Sequence, residues 1–368
     1  MSLRVLVVDD SVLFRRAVSM ALEGVSGVEV VGTAANGRVA LSRMEALRPD
    51  LVTLDIEMPE MNGIQMLEAM RSRGVAAGVI VLSAHTARGG ELTMRALELG
   101  AFDFLTKPDN GTAGENIAAL RHQLQPMIRA FERRRETRGI LVAPRPAVPP
   151  LLPVRMEGAP SRPARKRPSG APMVLIGVST GGPAALSKLL PALPADLGAP
   201  VFIVQHMPAL FTQALAASLA AKSALGVKEA ADGETARANC VYIAPGGRHM
   251  KLLRGARGEA VVRITDDPPE NNCRPAVDYL FRSAALEFPG RAVAAILTGM
   301  GDDGTAGLRM LKRGGCHAIA QDEASCVVFG MPREAILAGV VDTVAPLESI
   351  AGAIVHALRE RWALPEAG

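Results

Sequence analysis

Val5-Leu6-Val7-Val8-Asp9-Asp10-Ser11 sets four aliphatic residues directly before two carboxylates and a hydroxyl. A short apolar run bounded by polar groups reads as a strand covered on both faces, as in a parallel sheet flanked by helices. The strand is read as Arg4 to Val8, and runs of the same kind recur at Val28 to Val31, Leu51 to Leu54, Val79 to Leu82 and Phe102 to Leu105, with amphipathic segments between. Five such units predict a doubly wound, mainly parallel α/β sheet of the flavodoxin type. The alternation resumes at Met173 to Val178, Val201 to Gln205, Val241 to Ala244, Ala292 to Leu297 and Cys316 to Ala320, which predicts a second, Rossmann-like sheet. Two β-like runs from Met250 to Ile264, around Arg254-Gly255-Ala256-Arg257-Gly258, read as an antiparallel hairpin added to that sheet.

A chain of 368 residues with 49% hydrophobic content is long for one core and suits two. Residues 133 to 170 hold ten Lys or Arg against Glu136 and Glu157, a local balance of +8, so the formal +4 of the whole leaves about −4 elsewhere. The same stretch carries Pro144, Pro146, Pro149, Pro150, Pro153, Pro160, Pro163 and Pro168, which block regular hydrogen bonding. It reads as a basic linker at 126–171 between a first domain at 1–125 and a second at 172–362. A basic tether, with 3% aromatic residues overall, argues against a nucleic-acid-binding face. Cys240, Cys273, Cys316 and Cys326 form no CxxC pair and follow no secretory leader, so buried, reduced thiols in a cytoplasmic protein are expected. No apolar run approaches the roughly 20 residues that cross a bilayer.

In the first domain Asp9 and Asp10 end the first strand, Asp55 the third, Ser83 the fourth and Lys107 the fifth. Ligands of an open α/β sheet bind at this carboxyl edge, so these groups converge on one crevice. Three neighbouring carboxylates invite a hard divalent cation, most simply Mg²⁺. With Asp9 and Asp10 neutralised, Asp55 is placed to accept a phosphoryl group, with Ser83 and Lys107 on its oxygens. Asp10 alone, ahead of Ser11 and Val12, reads as a cap of the next helix. The motifs VLVVDDS, TLDIEMPEMNG, VLSAH and FDFLTKP resemble the response-regulator receiver family over about residues 1 to 125. That resemblance implies an acceptor at Asp55, metal carboxylates at Asp9 and Asp10, a switch hydroxyl at Ser83 and an aromatic switch position at Phe104.

In the second domain Gly177-Val178-Ser179-Thr180-Gly181 matches the GxSxG nucleophile-elbow pattern at a strand-to-helix turn. Such a turn also cradles anions, so the pattern alone leaves a nucleophile and a phosphate loop open. Two more strand ends carry the argument further. Val201 to Gln205 runs into His206, and Ala294 to Leu297 runs into Thr298-Gly299-Met300-Gly301-Asp302-Asp303-Gly304. A hydroxyl needs a neighbouring imidazole to take its proton, and the imidazole needs a carboxylate to orient it. The order Ser, His, Asp differs from that of α/β-hydrolases, and position alone does not choose between Asp302 and Asp303. Glycines around Met300 leave backbone amides free for an oxyanion. A non-catalytic module that binds a nucleotide through the glycine loop is the alternative, against which stands the absence of GxGxxG spacing.

IGVSTGGP, VQHMP, ILTGMGDDG and QDEASCVVFGMPREA resemble the catalytic domain of the chemotaxis receptor methylesterase family (CheB) over about residues 172 to 362. The resemblance implies Ser179 as nucleophile, His206 as base, Asp303 as orienting acid, and Thr180 and Met300 beside the oxyanion. It further implies hydrolysis of glutamyl methyl esters on chemoreceptors with no cofactor for that step, slower deamidation of receptor glutamines, a sensor histidine kinase as phosphodonor, and a receiver that obstructs the catalytic crevice until phosphorylated.

Overall fold

The computed structural model describes residues 2–108, 111–141 and 170–362. In the first unit β1 (Leu3–Val8), β2 (Val28–Ala34), β3 (Leu51–Asp55), β4 (Gly78–Ser83) and β5 (Asp103–Thr106) form one parallel sheet in the order β2-β1-β3-β4-β5. The order reverses at β1 and β3, and the crevice above that switch point collects the chemistry. Val5, Leu6, Val7 and Val8 are all fully buried because helices cover both faces. Ser11, not Asp10, caps the helix Val12–Glu23 by accepting from the Phe14 N–H. Its hydroxyl is the first polar group in reach of that free amide.

The last helix of the unit runs Ala113–Leu141 and includes Pro126 and the Arg133-Arg134-Arg135 cluster. The expected linker start at 126 is therefore helical. One proline removes a single backbone bond, and Leu120, Leu124, Ile128 and Ala130 hold the helix by burying a continuous stripe against the helix Val12–Glu23 and the sheet. The proline-rich part of the expected linker lies outside the described residues.

The second unit contains β6 (Met173–Val178), β7 (Val201–Gln205), β8 (Gly226–Glu229), β9 (Cys240–Ile243), β10 (His249–Arg254), β11 (Ala260–Thr265), β12 (Ala292–Ile296), β13 (His317–Gln321) and β14 (Thr343–Ala345). Seven of these pair in parallel in the order β14-β13-β12-β6-β7-β9-β8. The hairpin exists, but β10 and β11 stand as a separate two-stranded sheet instead of extending the large one. Met250, Leu252, Val262 and Ile264 alternate inward and pack with Leu280, Phe281 and Ala284 of the helix Val277–Glu287. That helix, not a strand edge, provides the burial.

The two units share a face. One buried apolar cluster runs from Met94, Leu97 and Phe104 of the first to Phe211, Leu215 and Leu219 of the second. Phe104 stacks on Phe211 at 4.7 Å between ring centroids. Ser218 donates to Glu98 at 2.6 Å, and Lys222 pairs with the same carboxylate. No described helix is long and apolar enough to cross a membrane.

Candidate active site

At the carboxyl edge of the first sheet, ligand atoms of Asp9, Asp10 and Asp55 lie within 4.8 Å of one another. Lys107 Nζ bridges two of them, 2.7 Å from Asp9 and 2.8 Å from Asp55. Burial, opposed by Lys107 and reinforced by Asp9 and Asp10, lifts the Asp55 pKa to about 6. One ammonium does not balance three carboxylates, and an all-oxygen donor set of this charge suits Mg²⁺. Ser83 is buried at the strand end, but its hydroxyl donates to the Gly89 carbonyl at 3.2 Å and so faces the following helix.

In the second sheet the loop after β12 carries Asp302 exposed and Asp303 buried. Asp303 sits at the N-terminus of the helix Val277–Glu287, where its carboxylate accepts from Val277 N–H at 2.7 Å and Asp278 N–H at 3.0 Å. Asn271 Nδ2 adds a third bond at 2.9 Å. Burial raises the Asp303 pKa, yet His206 and these amides outweigh it and hold the group below the ordinary carboxylate range. His206 Nε2 lies 2.7 Å from Asp303 Oδ2, with only 13% of its side chain exposed. Burial pulls the imidazole down, but Asp303 and then Cys273 overcome it and lift the pKa to about 9. Both partners shift toward the ion pair.

Ser179 follows β6 and His206 follows β7, and Val178 pairs with Gln205 in register, so the two are the next register pair on adjacent strands. Neighbouring strands are about 4.8 Å apart, so the two turns lie side by side at the carboxyl edge. No hydrogen bond joins Ser179 to His206 among the described residues; the second ring nitrogen, Nδ1, faces Cys273 Sγ at 3.6 Å. Gln205 Nε2 ties the two turns together by donating to the Ser179 and His206 carbonyls at 3.0 and 3.1 Å. Gly181 adopts φ 77°, open to glycine at low cost, at the tight entry to the helix Gly182–Leu189. Gly299 lets the Met300 loop approach, since a Cβ there would lie 2.8 Å from Ser179 Cβ.

Among the described residues the N–H groups of Thr180 and Met300 donate to no internal acceptor. Both residues touch the first unit. The Thr180 hydroxyl faces the buried Asp103 carboxylate and lowers a pKa that burial, the larger effect, lifts to about 6. Met300 packs with Val327 and Val328 against the cluster built around Leu120 and Leu124. A cleft of about 650 Å³ opens beside them, between Arg133 and Arg134 on one wall and Met300, Asp302 and Arg333 on the other.

Two family models match in series, the response regulator receiver domain at residues 5–117 and CheB methylesterase at 174–354. Over 361 residues the chain is 48% identical to the protein-glutamate methylesterase/protein-glutamine glutaminase of Desulfotalea psychrophila, covering 97% of this chain and 99% of the relative. The chain belongs to the CheB methylesterase family. The Bacillus subtilis protein-glutamate methylesterase/protein-glutamine glutaminase is 43% identical over 97% of this CheB-family chain and 99% of its own length. The crystal structure of the Thermotoga maritima CheB methylesterase catalytic domain superposes with a TM-score of 0.50 at 43% identity, covering 51% of this chain and 98% of that one.

Several residues at the CheB-type rim escape a reading of strand ends. Gln205 is signalled only by a polar residue closing an apolar strand, and Asn271 and Cys273 reach the site from a loop far along the chain. The expectation of buried thiols holds for Cys316 and Cys326 but not for half-buried Cys240 and Cys273. All four cysteines are free.

Proposed function

We propose that this chain is a protein-glutamate methylesterase and protein-glutamine glutaminase controlled by phosphorylation of Asp55. The observation that carries the reading is the His206–Asp303 pair at 2.7 Å, one register step from Ser179 at the same sheet edge. Ser179 Oγ attacks the γ-carbonyl of a glutamyl methyl ester while His206 accepts its proton on Nδ1, the nitrogen that Asp303 does not hold. The free N–H groups of Thr180 and Met300 stabilise the tetrahedral oxyanion. His206 returns the proton to the departing methoxide, methanol leaves, and water activated by the same imidazole frees the glutamate and Ser179. A glutamine side chain follows the same path with ammonia as the poorer leaving group. Asp302, exposed and off the imidazole, takes no part.

Regulation rests on the shared face. Asp103 beside Thr180 and Phe104 on Phe211 support a receiver seated against the oxyanion side of the crevice. Asp9, Asp10 and Asp55 are the residues to hold Mg²⁺, which supplies charge neutralisation for phosphoryl transfer when bound. Lys107 holds a phosphoryl oxygen, and Ser83 must turn from Gly89 to reach another. That turn is the local event that loosens the helix Ala87–Glu98 and β5 from the second unit. A sensor histidine kinase is the phosphodonor, methylated chemoreceptors are the substrates, and the cytoplasmic side of the membrane is where they meet.

The test is methanol release from methylated receptor membranes, with and without a small-molecule phosphodonor. The wild-type chain should release methanol faster with the donor, Asp55→Asn should not respond to it, and Ser179→Ala should release none. Release by Ser179→Ala at the wild-type rate refutes the mechanism.

A further inference from the structure

The described residues hold two groups of side chains spaced to share a metal ion, and one of them is not in the receiver pocket. Ligand atoms of His206, Cys273 and Asp303 lie within 4.8 Å of one another at the catalytic rim. Ester hydrolysis gives Cys273 no role, yet its Sγ stands 3.6 Å from His206 Nδ1. Tetrahedral zinc with Zn–S of about 2.3 Å and Zn–N of about 2.0 Å spans an N···S edge of about 3.5 Å. The thiol and the imidazole therefore already occupy the separation of two corners of one zinc tetrahedron.

Asp303 serves this pair from behind. Its Oδ2 faces His206 Nε2 and accepts from Val277 N–H, while Oδ1 accepts from Asn271 and Asp278, so its lone pairs are engaged. A carboxylate on one ring nitrogen directs the lone pair of the other outward, which is how metal-binding histidines are oriented. Cys273 is equally fixed. It exchanges backbone hydrogen bonds with Glu270 at 3.1 and 2.8 Å, and Arg282 clamps the Glu270 carboxylate at 2.6 and 2.7 Å. Both ligands are half-buried, which leaves the remaining coordination positions to water. Sulfur with imidazole nitrogen selects a thiophilic cation over Mg²⁺.

We propose that His206 Nδ1 and Cys273 Sγ form a binding site for a thiophilic divalent cation of the zinc type, and that its occupancy stops ester hydrolysis. On binding, the thiol proton and the proton on Nδ1 of the imidazolium pass to solvent, and the Nδ1 lone pair so freed enters the coordination shell. That lone pair is the one that accepts the Ser179 proton in the proposed reaction, so the inhibitory half rests on that reading while the site itself does not.

The experiment uses metal-free, reduced, full-length protein titrated with Co²⁺. A thiolate-to-cobalt charge-transfer absorption reports sulfur ligation, and the oxygen-only cluster of Asp9, Asp10 and Asp55 produces none. The expected result is one thiolate-bound Co²⁺ per chain, displaced by Zn²⁺, retained in Cys240→Ser and lost in Cys273→Ser. His206→Ala should weaken binding by more than about tenfold, the scale on which even loss of an outer partner acts. In parallel, Zn²⁺ should suppress methanol release, with Cys273→Ser needing more than about tenfold more metal. Absence of the band, or a band that survives Cys273→Ser, overturns the site. A band with Zn²⁺-insensitive methanol release overturns the inhibitory role. The full cobalt signature in a chain that releases no methanol under any condition supports the site and assigns the failure to the esterase reading.

Discussion

Phe104→Ala should raise the methanol-release rate of the unphosphorylated chain toward the phosphorylated rate. Phe104 is 8% exposed and stacks on Phe211 at 4.7 Å with 25° between the ring planes, so truncation removes an aromatic pair and apolar area from the face between the units. Full burial of such a side chain stabilises by about 1.5 to 3 kcal/mol, and the aromatic geometry adds about 0.5 to 1.5 kcal/mol. Part of that burial lies within the receiver itself, which leaves about 1 to 3 kcal/mol for docking, a shift of about 5- to 150-fold in the docked-to-undocked ratio. The assay is the initial rate of methanol release without and then with a phosphodonor. The variant should start high and gain little from the donor. Glu98→Ala provides the scale, because its half-exposed ion pair with Lys222 is worth only about 0.2 to 1 kcal/mol. A Phe104→Ala protein with normal phosphorylation, normal circular dichroism and an unchanged basal rate refutes the reasoning.

Three further outcomes follow from the rim. Asp303→Asn should lower kcat by about 10⁴-fold, as loss of the orienting carboxylate does in other triads, whereas Asp302→Asn should leave the rate near wild type in the same methanol assay. His206 acts as a base only when neutral, and its pKa in the docked arrangement is raised to about 9, so basal kcat/KM should climb as pH rises toward that value. Cys273→Ser removes one of the two partners that raise it and should move the climb to lower pH, which a pH profile of the metal-free enzyme checks. Gly299→Ala would set a Cβ 2.8 Å from Ser179 Cβ and 2.4 Å from Met331 Sδ. A displacement of the nucleophile near 1 Å costs about 10²-fold, to be read as a fall in kcat with the fold intact by thermal melting.

Both large sheets were legible in the sequence because their central strands are buried on both faces. Met173 to Val178 and Val201 to Gln205 have no polar residue before their last position, so the run and the strand coincide. The edge strands of the second sheet were not legible. Gly226–Glu229 alternates over only four residues, and Thr343–Ala345 is three long, so neither carries a pattern distinct from a loop. The hairpin from His249 to Thr265 declared its own pairing by alternation, but alternation says only that one face is covered, not by what. The helix Ala113–Leu141 ran past its expected end because the buried stripe through Leu124 and Ile128 outweighs one proline.

The receiver carboxylates and the His206–Asp303 pair were legible because each follows a readable strand at the carboxyl edge. Burial then separated Asp303 from its neighbour Asp302, a choice that position in one glycine-flanked turn does not make. Cys273 and Asn271 were not legible, since the Glu270-to-Cys273 turn meets the rim only through its docking on the helix Val277–Glu287. The inward turn of Ser83 toward Gly89 and the Asp103–Thr180 contact likewise depend on packing, the second on packing between two units that sequence reads one at a time.

The most direct measurement of the central claim is active-site labelling with a fluorophosphonate, followed by peptide mass spectrometry. If Ser179, His206 and Asp303 act together, the adduct sits on Ser179, forms faster with a phosphodonor present, and is lost in His206→Ala. An adduct on another residue, or Ser179 labelling at the same rate without His206, contradicts it.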